Sequence, residues 1–79
     1  MEKDDYLRGL GAAVRRARIA RSLSQEQLAH RSDLDRTYIS MIERGVRNAT
    51  VWNIYRVAKA LGVPPSLLFM ELENGAQAD

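Results

Sequence analysis

Seventy-nine residues with no cysteine and one histidine make one domain with a small core, and they exclude a disulfide framework, a thiolate zinc site and a cysteine nucleophile. No apolar run approaches the roughly 18 residues of a membrane span, and the opening MEKDD has no signal-peptide pattern, so a cytoplasmic protein with no membrane partner is expected. The net charge of +2 hides an asymmetry: residues 1–5 sum to −2, residues 71–79 to −3, and residues 6–70 hold eleven Arg or Lys against four carboxylates.

Ten of those eleven cations are arginine, the side chain best suited to phosphate and guanine. A basic centre with acidic ends points to a polyanion, with a solvated charged surface as the plain alternative.

The spacing predicts a first helix over residues 6–21, where Leu7, Leu10, Val14 and Ala17 recur at intervals of three and four and form one buried stripe. Arg18 follows Val14 by four, so its stem lies at the edge of the core, where a charge needs a partner. Glu43, next to the inward-facing Ile42, is the natural candidate. An Arg18–Glu43 ion pair tying the first helix to the third is expected, and a reach of Arg18 to a phosphate is the other reading.

Ser22 and Leu23 make the corner, with Leu23 buried. The second helix, Gln25–Ser32, is capped by Ser24 with Gln27 three residues on, the pattern of a capping box. The turn Asp33–Leu34 needs a residue near the left-handed region, and Asp is one of the few tolerable substitutes for glycine there. Leu34 plugs the angle. The third helix, Arg36–Arg44, is capped by Asp35, turns Ile39 and Ile42 inward, and stops at Gly45. Two short helices crossed over a tight turn form a helix-turn-helix unit.

Thr50 caps a fourth helix, Val51–Leu61, whose apolar residues Val51, Ile54, Val57, Ala58 and Leu61 repeat at three and four, and Gly62 ends it. Pro65 can open a fifth helix over residues 65–72. Its Leu67, Leu68, Phe69, Met70 and Leu72 are more than a terminal helix of a monomer buries. Phe69 is therefore expected as the internal anchor, with Leu68 and Leu72 exposed at a two-fold contact. Trp52 stands at the core edge or in the same subunit contact. The expected fold is all-α: a single compact five-helix domain over residues 6–73, with a helix-turn-helix in helices 2 and 3. An acidic extension (1–5) precedes it and a frayed tail (74–79) follows.

SQEQLA, LDRTYISMIERGVRN and AKALGV resemble the lambdoid phage repressor and Cro (XRE) type of DNA-binding domain, and within it the controller proteins of restriction–modification systems. The likeness spans Leu10 to Phe69, and it departs at Asp33, where such units often have glycine. It implies a lambda-repressor-like fold and a homodimer on near-palindromic double-stranded DNA, with two dimers on adjacent sites. It also implies control of the chain's own gene and an endonuclease gene, by activation at one site and repression when the second fills. No cofactor is implied.

In such a unit the third helix enters the major groove N-terminus first. Arg36, Thr37 and Ser40 then form the outward face that meets base edges, bordered by Met41. Arg36 can pair with guanine O6 and N7, worth on the order of 1–3 kcal/mol of discrimination; Thr37 can touch a thymine methyl. Gln25 opens the second helix, where free N–H groups and the positive dipole end favour phosphate. The resemblance implies that contact for Gln25, and Ser24 would assist it. Tyr38 either touches phosphate or the groove wall, or packs on the second helix. For Arg47 and Asn48 the resemblance implies backbone contacts, with Arg47 reaching a base. Arg44 either meets phosphate or complements the helix dipole.

His30 has no second histidine or cysteine with which to bind a metal. Serines 22, 24, 32, 40 and 66 have no His–Asp arrangement, so no catalytic residue is assigned and no enzyme is expected. The competing classes are a phage-type repressor, an antitoxin-like autorepressor, and a protein-interaction module without DNA. The polar face of Arg36, Thr37 and Ser40 speaks against the last, which should present apolar anchors.

Overall fold

The structure, a computed structural model, describes residues 1–78 in five helices: α1 (Lys3–Ala20), α2 (Gln25–Ser32), α3 (Arg36–Arg44), α4 (Val51–Leu61) and α5 (Pro65–Ala78). The three central elements have the boundaries read from their caps. Ser24 Oγ accepts from the Gln27 N–H at 3.0 Å while Gln27 Oε1 accepts from the Ser24 N–H at 2.8 Å, a complete capping box. Asp35 accepts from the Thr37 N–H at 2.8 Å and Thr50 from the Asn53 N–H at 3.1 Å. Asp33 is left-handed at φ 58°, and so, unanticipated, is Ser22 at the α1–α2 corner, at φ 56°.

The outer helices are longer than expected. α1 begins at Lys3 because Asp4 and Asp5 lie in its first turn, where carboxylates favour the positive dipole end. The acidic extension is therefore mostly helical, and Asp5 pairs with Arg8 at 2.7 Å. α5 runs to Ala78, through the segment expected as a tail, and Asp79 lies outside the described residues. No described helix is long and apolar enough to cross a membrane.

α1 lies at the centre, packed on α3, α4 and α5, while α2 packs on α3 and α4. Val14, Leu28, Ile39, Ile54, Val57 and Leu68 are the largest fully buried side chains. Two glycines on α1 set how closely its neighbours approach. A Cβ at Gly11 would fall on the carbonyl oxygens of Ile42 and Glu43, and one at Gly9 on the Leu72 side chain.

That second contact bears on α5. Leu68 is 0% and Leu72 4% exposed, so neither is available to a subunit contact. Being i and i+4, they share one face of α5, and α1 covers it. The outward side of the helix is mixed in space: Ser66 and Glu73 are exposed beside Met70, while Leu67 and Phe69 are half-buried. Trp52, by contrast, is 64% exposed.

Leu68→Glu should therefore abolish the cooperative thermal transition in circular dichroism rather than yield a folded monomer, since a buried carboxylate costs several kcal/mol, comparable to the whole stability of a small domain. Gly11→Ala should destabilise by about 1–3 kcal/mol, because the atoms in the way are α3 backbone and α3 must back away. Gly75→Ala, with open space around it, should stabilise by up to about 1 kcal/mol. The same melts check both.

Candidate nucleic-acid interface

The crossing of α2 and α3 is held from three sides. Leu34 N–H donates to the Ala29 carbonyl at 2.9 Å, which closes the turn, and the half-buried Leu34 side chain packs on the core. From α4, Arg56 Nη2 donates to the Asp33 carbonyl, and its guanidinium lies 3.6 Å from the Asp33 carboxylate. From α1, Arg18 meets Glu43. Its Nε donates to Oε2 at 2.7 Å and its Nη2 to Oε1 at 3.0 Å, and Nη1 donates to the Leu23 carbonyl at 2.8 Å. The two side chains are 12% and 3% exposed. Hydrogen bonding to Glu43 raises the Arg18 guanidinium above its ordinary value against the opposing effect of burial, so it stays charged at any working pH. Arg18 is thus occupied in the scaffold and is not presented to a phosphate.

With Ile39 and Ile42 buried, α3 turns the exposed Arg36 and Thr37 and the half-buried Ser40 and Met41 to the other side. Asp35 caps the helix through one oxygen without capturing Arg36. Gln25 occupies the first position of α2, half-buried, with its Nε2 donating to Glu43 Oε1 at 3.2 Å. Of the first N–H groups of α2, Gln27 is bonded to the Ser24 hydroxyl and Leu28 to the Ser24 carbonyl. Those of Gln25 and Glu26 have no partner among the described residues, which is the condition for an anion at a helix N-terminus. The Ser24 oxygen is used as an acceptor, and its O–H remains free to donate.

Tyr38 makes a contact to α4 that the sequence did not indicate. It is half-buried against the core, and its hydroxyl oxygen accepts from Asn53 Nδ2 on α4 at 2.9 Å. The Arg47 guanidinium lies over the ring, 5.1 Å from its centroid, within cation–π range. This arrangement draws the 46–50 loop onto α3 and leaves the phenolic O–H able to donate outward. Asn48 and Arg44 are exposed. Asn53 and Arg56 were not read from the sequence as part of the site. Both stand on the polar side of α4, and no spacing rule links them to residues 15 and 23 positions away.

On α4, Trp52 and Tyr55 stack with ring centroids 5.7 Å apart and planes at 18°. They and Val51 leave an apolar patch in contact with solvent. Among the described residues no cluster of three or more His, Cys, Asp or Glu could hold a metal.

Two short capped helices crossed over a left-handed aspartate, the second presenting a polar basic face, define a helix-turn-helix protein. The helix-turn-helix family model matches residues 14–68, and the chain belongs to that family, one of transcription regulators rather than enzymes. It is similar to the control protein C.BamHI of Bacillus amyloliquefaciens, at 55% identity over 56 residues, 70% of this chain and 69% of that protein. Against the control protein C.SmaI of Serratia marcescens it is 46% identical over 67 residues, 82% and 80% of the two chains. Among solved structures, the restriction–modification controller protein C.AhdI of Aeromonas hydrophila superposes with TM-score 0.79 at 46% identity, covering 80% of this chain and 96% of that one. The controller protein C.Esp1396I, solved as a tetramer with its natural 35 base-pair operator, gives TM-score 0.80 at 36% identity, covering 87% and 91%.

Proposed function

We propose that the chain is a cytoplasmic, homodimeric, sequence-specific DNA-binding transcription regulator of the restriction–modification controller type, acting on its own gene and an endonuclease gene. The observation that carries this reading is the free polar face of α3. Arg36 and Thr37 are exposed at its N-terminal end, beside a second helix whose Gln25 and Glu26 N–H groups have no partner among the described residues. Arg36, Thr37 and Ser40 read base edges in the major groove, while Gln25, Ser24, Arg44 and Asn48 meet phosphate. Tyr38, steadied by Asn53, donates to the groove wall or a phosphate. Arg47, from the adjoining loop, reaches a base or its phosphate.

One copy reads too few bases for tight operator binding, and a dimer reaches two half-sites about 34 Å apart on near-palindromic DNA. The exposed Trp52–Tyr55 stack with Val51 supplies the subunit contact, since aromatic side chains dominate such interfaces. Two dimers on adjacent sites fit the dimensions. The C.Esp1396I operator of 35 base pairs is, at about 3.4 Å per pair, roughly 120 Å long. Four domains whose longest extent is 32 Å fill that length.

Gel-shift titration against the DNA upstream of the chain's own gene tests the assignment. Arg36→Ala should lose on the order of 1–3 kcal/mol of discrimination for that DNA over unrelated sequence, and equal binding by variant and wild type would remove α3 from base reading. Arg47→Ala should lower the slope of log affinity against log salt by about one if the side chain neutralises a phosphate. Trp52→Glu should sediment as a folded monomer, whereas a persistent dimer would move the interface off α4.

A further inference from the structure

Gln25 does not stand free at the start of α2. Its Nε2 donates at 3.2 Å to Glu43 Oε1, the same oxygen that accepts from Arg18 Nη2 at 3.0 Å. The ion pair has no need of this third bond, because Arg18 already engages both carboxylate oxygens through Nε and Nη2, the bidentate arrangement that satisfies the charge. The consequence falls on Gln25. One amide N–H is held inward and the second remains for an outside acceptor. The side chain then enters a complex already ordered, avoiding the roughly 0.5–1.5 kcal/mol that immobilising a flexible side chain costs. The carboxylate would by itself repel a phosphate, and the Arg18 guanidinium 2.7 Å from it cancels that repulsion.

We infer that Glu43, neutralised by Arg18, is a positioning residue for DNA binding, which presents the Gln25 amide to a backbone phosphate and couples the α1–α3 junction to the seating of α2 on the duplex. The inference rests on the reading of Gln25 as a phosphate contact. It goes further in giving the buried pair a role in affinity that is separate from holding the fold.

The test is a double-mutant cycle by fluorescence anisotropy on two duplexes, the upstream DNA of the chain's own gene and an unrelated sequence. The proteins are wild type, Gln25→Ala, the pair replacement Arg18→Met/Glu43→Leu, and the triple variant. Replacing both charges by apolar groups of similar volume is often neutral for stability, and circular dichroism melts verify that each protein is folded at the temperature of measurement. Gln25→Ala should weaken both duplexes about fivefold, as loss of one hydrogen bond does. The pair replacement should weaken both on the order of threefold to fivefold, with no change in the ratio between duplexes. The triple variant should bind no more weakly than Gln25→Ala, because Glu43 acts through the glutamine. A triple variant weakened by the product of the two effects, or a pair replacement that binds like wild type, would overturn the inference. A Gln25→Ala protein that binds like wild type would instead remove the phosphate contact itself, and the inference with it. Should the pair replacement not fold, the alternative apolar pair Arg18→Leu/Glu43→Met, alone and combined with Gln25→Ala, removes the same acceptor and completes the same cycle, and multiplicative losses again decide against the inference.

Discussion

The angle between the three helices that matter most is held by one carboxylate. Glu43 takes two hydrogen bonds from Arg18, which in turn ties off the carbonyl of Leu23 at the α1–α2 corner, so a single charge pair joins α1, the corner and α3. Withdrawing such a pair from water costs about as much as its attraction returns, whereas removing one partner would leave the other charge buried and unpaired. The geometry depends on Gly11, where the α3 carbonyls lie so close that no side chain fits. Only at that separation does the carboxylate on one helix meet the guanidinium on the other.

Because α3 is anchored at several points, its outward face is free of structural duty. Ile39 and Ile42 take the core side, and Glu43 binds α1. Tyr38 binds α4 through Asn53, and the turn before α3 is held by Arg56. Arg36, Thr37 and Ser40 are left on a helix tied to α1, α2 and α4. A rigid element presents contact residues more accurately than a loop does. The loop that adds to the face, residues 46–50, is itself drawn in by Arg47 on the Tyr38 ring.

The distribution of charge follows from where the ion pairs form. Among the described residues the four pairs use Arg8, Arg16, Arg18 and Arg56, all outside the segment from α3 to its following loop. The acidic residues at the two chain ends meet α1, with Asp5 on Arg8 and Glu71 on Arg16. Arg36, Arg44 and Arg47 therefore keep their charge uncompensated beside the polar face, where a concentrated positive potential attracts a polyanion.

Sequence alone determined what depends on neighbours along the chain. The caps Ser24, Asp35 and Thr50, the left-handed Asp33 and the stop glycines Gly45 and Gly62 placed α2, α3 and α4, because capping and turn chemistry act within four residues. Periodicity also separated the inward Ile39 and Ile42 from the outward Arg36, Thr37 and Ser40. It misjudged α5, where the count of apolar residues suggested a surplus. Which of them is exposed depends on the helix it packs against, and the approach of Leu72 to Gly9 carries no local signature. The same holds for Asn53 under Tyr38, Arg56 on the Asp33 carbonyl and Gln25 on Glu43. These bonds join helices whose relative placement is decided by the close approach of backbones and the burial of side chains throughout the domain, and only the tertiary structure could decide them.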